Sequence, residues 1–266
     1  MEVKNMKTGI QIFGCKHLYH ADPDGFLDRI QSAGYDIIEP CVLFGDMPAE
    51  LGWRSEDMQA HVDRLEKHHL ALSSAHIFAK DFSAIVPELI NVARLSGIRQ
   101  YVVGYRGPFE RQAVQEFADK CVATAIQLSA AGIELWLHNS WQEIAAKLDG
   151  MSVYEWILAH CDGKLGAQVD TGWVVCGGED LQPFLERNRR FIRSIHHKDV
   201  TAPLNADGWT PNVPLGTGIV DTRLAFAFGK ALGLNQIVDQ DHSAGDFLAD
   251  LAQSARYLDA LDREQA

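Results

Sequence analysis

A single (β/α)8 barrel is the fold class that the sequence predicts, and three observations predict it. First, a helix-like segment ending in a small residue and glycine is followed four times by a short apolar run. These are SAGYDIIEP around Gly34, LSGIRQYVVG around Gly97, AAGIELWLHN around Gly132 and ALGLNQIVDQD around Gly233. Glycine past the last helical turn supplies a left-handed cap, and the apolar run beyond it reads as a strand covered on both faces. Second, these glycines lie 63, 35 and 101 residues apart. Those intervals are about two, one and three repeats of a roughly 30- to 35-residue unit, the size of a βα pair. Third, four further apolar runs fill the gaps. Eight strands alternating with eight helices in about 250 residues suit a closed barrel better than an open doubly wound sheet, the alternative architecture, which usually has fewer strands.

In chain order the strands are TGIQIFG from Thr8, the run ending IIEP after Gly34, LALSSAH from Leu70, the run after Gly97, LWLHN after Gly132, LGAQVD from Leu165, FIRSIHHKD from Phe191 and IVDQD after Gly233. Helical periodicity covers Pro23–Ser32, Ser55–His68, Ala84–Leu95, Glu110–Ala130, Ser152–His160, Asp180–Arg189, Thr222–Leu232 and Asp246–Leu261. No linker or low-complexity stretch divides the chain, so residues 1–266 are read as one domain. The longest irregular segment, Thr201–Val220, follows the seventh strand and is read as a substrate-side loop. Its Gly216-x-Gly218 reads as a tight turn rather than a phosphate cradle.

Composition narrows the function classes. With 24 Lys+Arg against 36 Asp+Glu the formal net charge is −12, which opposes nucleic acid and anionic lipid as partners. No apolar run approaches the roughly 20 residues of a membrane-spanning helix, and MEVKNMKTGI has no apolar signal core, so a cytoplasmic protein is expected. Five dispersed cysteines without a C-x-x-C pair read as reduced thiols.

Barrel enzymes gather their chemistry where strands end. Here Glu39 closes the second strand, His76 the third, His138-Asn139 the fifth, Asp170 the sixth, His196-His197-Lys198-Asp199 the seventh and Asp239-Gln240-Asp241 the eighth. One strand-end His or Asp is ordinarily a rim residue or a helix cap; six on one rim strain that explanation. His138, Asp170, His196 and Asp239 on adjacent strands form a mixed nitrogen and oxygen set able to surround one divalent ion and leave positions for substrate oxygens. The set favours Mn²⁺, with Co²⁺, Fe²⁺ or Zn²⁺ also suitable and Mg²⁺ less so.

The motifs LWLHN, QVDTGW, SIHHKD and IVDQD, with IIEP and PLGTGIVD, resemble the xylose isomerase-like TIM-barrel superfamily. That superfamily holds sugar and sugar-phosphate isomerases and epimerases, inosose dehydratases and an apurinic-site endonuclease type. In its epimerases Glu, Asp, His and Glu from strands five to eight bind one metal, and the two Glu move protons on opposite faces of the sugar. The resemblance puts Asp170 at the Asp of D-T-G, His196 at the His of H-x-K-D and Asp239 in place of the last Glu. His138 stands where the first Glu is expected, with Glu143 as an alternative carboxylate ligand.

A metal-bound neutral His138 cannot also act as a base, so proton transfer falls to Asp239 with Lys198, Glu39 or His76. The reading is a metal-dependent isomerase or epimerase acting on a sugar, keto-sugar or sugar phosphate through an enediolate, with Lys198 stabilising an enediolate oxygen. A dehydratase of the inosose kind, acting on a cyclitol ketone, is the alternative. Glu39 and His76 are assigned to sugar hydroxyls, and Trp173 and Trp209 to stacking on the sugar ring. Arg106, after the fourth strand, reads as a solvated loop residue, and His197 faces away from the mouth and has no assigned role. The endonuclease reading is weak, because Trp173 replaces a zinc-binding His and 201–220 contains no His. A non-catalytic sugar-binding barrel and a homodimer complete the expectations.

Overall fold

The computed structural model describes residues 6–265. Eight parallel staves form the barrel: β1 (Thr8–Gln11), β2 (Ile37–Glu39 and Cys41–Leu43), β3 (Ala71–Leu72 and Ala75–Phe78), β4 (Gln100–Gly104), β5 (Glu134–His138), β6 (Gly166–Asp170), β7 (Ile192–His197) and β8 (Gln236–Asp239). Each pairs with its sequence neighbour, and β8 returns to β1 through Thr8↔Gln236 and Gln11↔Asp239. The ring closes through the two broken staves. Lower β2 pairs with lower β3, and upper β2 with upper β3, so one open end of the sheet is lower β3, while at the other the short strand Trp53–Arg54 pairs along upper β2.

The break in β2 has a local cause and a consequence. Pro40 has no N–H for the ladder and splits β2. The ladder is carried across by Ser73 N–H donating to the Ile38 carbonyl and His76 N–H to that of Pro40, at 3.2 and 2.9 Å. The strand resumes as Cys41–Leu43, so Glu39 lies below the rim.

Outside run eight helices: α1 (Pro23–Ser32), α2 (Met58–Lys67), α3 (Val86–Ser96), α4 (Arg111–Ser129), α5 (Val153–His160), α6 (Leu181–Asn188), α7 (Thr222–Ala231) and α8 (Phe247–Glu264). Gly34, Gly97, Gly132 and Gly233, the four glycines of the repeated pattern, all have positive φ (67–101°). Gly97 is the left-handed C-cap of α3. The last helix runs three residues past the expected Leu261, ending at Glu264. Helix faces pack on the strands through buried Leu27, Val92, Leu128, Ile157, Phe184 and Phe226. Inside the barrel the filling is polar instead, with Gln11, Glu39, Gln168 and His196 all at most 4 % exposed.

Three short helices, Lys16–Ala21, Trp141–Ala145 and Thr171–Cys176, follow β1, β5 and β6 at the C-terminal end of the barrel. The segment after β7 is organised by Asp199. Its carboxylate accepts from the backbone N–H of Val200, Gly216, Gly218 and Val220 at 2.9–3.1 Å. Gly216-x-Gly218 is thus a turn that cradles the chain's own carboxylate. A Cβ at Gly218 would overlap Asp199 Oδ1 and the Val200 carbonyl. Among the described residues no helix is long and apolar enough to cross a membrane.

Candidate metal centre and active site

Each candidate ligand is placed by the residues next to it in sequence. Asp170 ends β6 and caps the helix Thr171–Cys176, its Oδ1 accepting from Trp173 N–H at 2.9 Å, so Oδ2 is left over. Its backbone is clamped by Asn139, which accepts from Asp170 N–H and donates to the Asp170 carbonyl at 2.9 and 3.1 Å. The Thr171 hydroxyl lies 3.2 Å from the carbonyls of His196 and Lys198 and accepts from Lys198 N–H, which fixes the end of β7. Gly172 makes room for Lys198, whose Cγ would lie 2.7 Å from a Cβ there. The D-T-G run therefore supplies a carboxylate, a tie and a gap.

His196 stands between two carboxylates. Nε2 is 2.5 Å from Glu39 Oε2, and Nδ1 is 3.0 Å from Asp239 Oδ2. Glu39 has no solvent exposure and also accepts from Gln168 Nε2 at 2.7 Å and from the Ser74 hydroxyl. Glu39, expected to meet a sugar hydroxyl, has both oxygens facing groups within the barrel and lies below His196. Gln168 uses its amide on Glu39, so its Oε1 faces His76 Nε2 at 2.8 Å and requires the proton on that nitrogen. His76 Nδ1 remains to accept from a ligand.

One ligand atom each from His138, Asp170, His196 and Asp239 lie within 4.8 Å of one another. His138 Nε2 is 3.7 Å from Asp170 Oδ2 and 3.8 Å from Asp239 Oδ2. Three buried atoms here, His138 Nε2, Asp170 Oδ2 and Asp239 Oδ1, have no hydrogen-bond partner. Buried polar atoms without partners are costly, and three of them on the four side chains of this group fit a divalent ion. Glu143 is not in the group. A second cluster, Glu39, His76 and His196, has its facing atoms joined by the hydrogen bonds just described and offers no orphan.

Electrostatics follow from burial set against neighbours. For Asp170, desolvation outweighs Lys198 and pushes the carboxyl up to about 7. Burial opposes charge on His196 as well, yet Glu39 and Asp239 overcome it and raise the imidazole to about 10, while His196 in turn holds Glu39 near 2. Desolvation lowers His138, and takes His76 to about 3, keeping both neutral. Lys198 stays cationic despite burial because Asp170, Asp239 and Asp241 surround it.

Above the cluster opens a cavity of about 600 Å³. His76, His138, Lys198 and Asp239 reach it, and Phe13, Phe78, Tyr105, Trp141 and Trp173 give it aromatic walls. Arg106 also lines it while remaining solvent-exposed. Trp209 does not reach the cavity. It is 51 % exposed and stacks on His242 with centroids 5.2 Å apart. The 201–220 loop meets the site indirectly, through Gly208, where a Cβ would lie 3.1 Å from the Trp141 ring, and through Asn212, whose Oδ1 accepts from Asp241 N–H at 2.8 Å. His197 is buried away from the mouth against Gln236.

Sequence reasoning passed over Glu143 as an acid in its own right. It is 2 % exposed, accepts from the Ser140 hydroxyl, lines the cavity and has its carboxyl raised by burial. Asp241, also on the lining, received no role.

Neither protein-family models nor curated protein sequences match the chain. Solved structures do. A sugar phosphate isomerase/epimerase from Parabacteroides distasonis aligns with TM-score 0.78 and 18 % identity over 96 % of both chains. A probable 3-DHS dehydratase from Bacillus anthracis gives 0.71 and 14 % over 96 % of this chain and 99 % of that one. A xylose isomerase-like TIM-barrel protein from Mycobacterium smegmatis, in complex with magnesium, gives 0.69 and 15 % over the whole of both. At such identities the likeness is one of fold: the chain has the xylose isomerase-like TIM-barrel fold.

Proposed function

We propose that this chain is a divalent-metal-dependent isomerase or epimerase of a sugar, keto-sugar or sugar phosphate, working through an enediolate. One observation carries the reading: four ligand side chains from β5 to β8 converge, three with orphan atoms, at the floor of an aromatic-walled cavity. The solved structures of the same fold named for isomerase/epimerase and dehydratase activity support it. Mn²⁺ is the favoured ion for two imidazoles and two carboxylates, and the magnesium complex of a fold relative is consistent with a divalent ion here.

His138, Asp170, His196 and Asp239 would hold the ion, with Glu39 fixing the tautomer in which His196 Nδ1 faces it. When bound, a divalent ion would supply Lewis acidity toward a substrate carbonyl and its neighbouring hydroxyl, which would acidify the proton on the carbon between them. The chain's own groups then do the proton work. Asp239, a carboxylate that reaches the cavity, takes the carbon-bound proton. Glu143 supplies the buried acid that returns one. Lys198 stabilises negative charge on the enediolate oxygens, and His76 Nδ1 accepts from a substrate hydroxyl. The aromatic walls exclude water and stack on the ring.

A dehydratase reading is favoured by one feature, the replacement of the first expected carboxylate by His138. With a single ligand carboxylate reaching the substrate and a buried acid at Glu143, abstraction at one carbon and protonation of a departing hydroxyl is an equally balanced use of the same groups. Incubating Mn²⁺-loaded protein with keto-sugars and cyclitol ketones in D₂O separates the two. Deuterium gain without other mass change supports isomerisation, and loss of water supports the lyase. Inertness toward the whole panel, with no ion bound, overturns both in favour of a non-catalytic barrel.

A further inference from the structure

Lys198 Nζ lies 2.9 Å from Asp170 Oδ2, 3.2 Å from Asp239 Oδ2 and 2.7 Å from Asp241 Oδ2. Two of these carboxylates belong to the candidate metal centre; Asp241 does not. The ammonium is 1 % exposed, and its stem is confined between Gly172 and the Trp173 ring, whose centroid is 4.6 Å from Nζ. Its contacts are unequal. Those to Asp241 and Asp239 are hydrogen bonds, whereas Asp170 Oδ2, though near, remains without one.

A dication on Asp170 and Asp239 would sit beside an ammonium bound to the same oxygens. Like charges a few ångströms apart in a buried site repel strongly, so both cannot keep those contacts. Asp241 offers the ammonium somewhere else to go. It is the shortest of the three contacts and the most exposed carboxylate of the three, at 30 %. Its backbone N–H is pinned by Asn212 Oδ1 at 2.8 Å, so the position is built rather than incidental.

We infer that Asp241 is a positioning residue that draws Lys198 off the ligand carboxylates, so that the chain's own ammonium and the divalent ion are alternative counter-charges for Asp170 and Asp239. This rests on the metal-centre reading above. It makes metal occupancy a property of a residue outside the ligand set. It also places the ammonium, once displaced, on the cavity side of the centre, where the substrate would meet it.

The test is a Mn²⁺ titration by calorimetry, paired with the Mn²⁺-induced shift in melting temperature, on the full chain and on K198M, D241N and the double variant. K198M keeps the stem and removes the competitor, so it should bind Mn²⁺ about tenfold tighter, and D241N about tenfold weaker. In the K198M background, D241N should change affinity by less than about threefold, because Asp241 then has nothing to hold. Loss of Asp241's charge acting on the ion directly would weaken binding equally in both backgrounds, and that result overturns the inference. So does K198M binding at or below wild-type affinity. Should K198M not fold without an ion, D241N alone decides: unchanged or tighter binding refutes the role. A wild-type chain that takes up no divalent ion removes the metal-centre reading and this one together, whereas normal wild-type binding with the wrong variant pattern removes only this one.

Discussion

Replacing Glu39 by glutamine is expected to weaken metal binding although no ligand is touched. The Glu39 Oε1 accepts from Gln168 Nε2 at 2.7 Å and from the Ser74 hydroxyl, and Oε2 faces His196 Nε2 at 2.5 Å. In the glutamine the carbonyl oxygen must take the first place, since both neighbours there donate. The new amide group then points at His196 Nε2. Two N–H groups cannot meet, so Nε2 gives up its proton and the imidazole keeps only the one on Nδ1, which donates to Asp239 3.0 Å away and must be lost before an ion can bind there. A protonated Nδ1 has no lone pair for an ion. Loss of such a supporting contact costs about 10- to 100-fold in metal affinity, roughly 1.4–2.7 kcal/mol. The lost charge-assisted hydrogen bond removes on the order of 2 kcal/mol from the metal-free fold, roughly a 4 °C drop in Tm for a chain of this length.

Calorimetric Mn²⁺ titration measures the first effect, and ¹⁵N NMR of the imidazole reads the tautomer directly. Glu39→Ala provides the contrast. It leaves the His196 tautomer free, so it should cost less metal affinity than Glu39→Gln while costing more stability, because Gln168 and Ser74 lose their acceptor. Wild-type Mn²⁺ affinity in folded E39Q, or the reverse order of the two variants, would refute the tautomer argument.

Three further outcomes follow from other parts of the molecule. Glu143→Gln keeps the shape of the buried acid and removes its proton exchange, so kcat on whichever substrate the D₂O panel identifies should fall about 100-fold or more while Mn²⁺ affinity stays level; an unchanged kcat would exclude Glu143 from the chemistry. His61, stacked on Trp53 at 4.2 Å and bonded to the Tyr19 hydroxyl at 2.7 Å, is held near 4 by burial and by Arg64, below its ordinary 6.5. Its neutral form is the folded one, so its contribution is complete above pH 6.5 and is lost as pH falls toward 4, up to about 3 kcal/mol; denaturant midpoints across that window should fall less steeply in His61→Phe, the remaining slope coming from buried His76, His138 and His197. Gly218→Ala drives a methyl into Asp199 and the Val200 carbonyl and should cost about 1–3 kcal/mol, with an undisplaced unfolding midpoint counting against the cradle.

The strand order and the candidate ligands were legible because both depend on local rules. Glycine caps mark where each helix ends, and residues closing an apolar run must emerge at one end of a parallel barrel. Those rules failed where a strand did not end where its apolar run was read to end. IIEP makes Glu39 look terminal, but Pro40 only interrupts β2, which continues to Leu43 and leaves Glu39 a layer deeper. The apolar run CVLF after the proline was the available signal. The place of Trp209, off the cavity lining, was not legible for another reason. Its position depends on how Asp199 gathers the backbone between 200 and 220, and a carboxylate accepting four N–H groups from a distant turn leaves no periodicity to read.

Barrel interiors are ordinarily filled by layers of branched apolar side chains. Here a polar chain runs from Ser74 through Glu39 and Gln168 to His76 and His196, with the contacts that define it at 2.8 Å or less. A fully satisfied buried network is rigid, because rotating any member strands its partners. Satisfaction stops abruptly one layer up, at His138 Nε2, Asp170 Oδ2 and Asp239 Oδ1. Had the whole interior been poorly bonded, those orphans would say little. Set on a network that accounts for the facing atoms beneath them, they mark a level at which the barrel leaves bonding capacity for something other than itself.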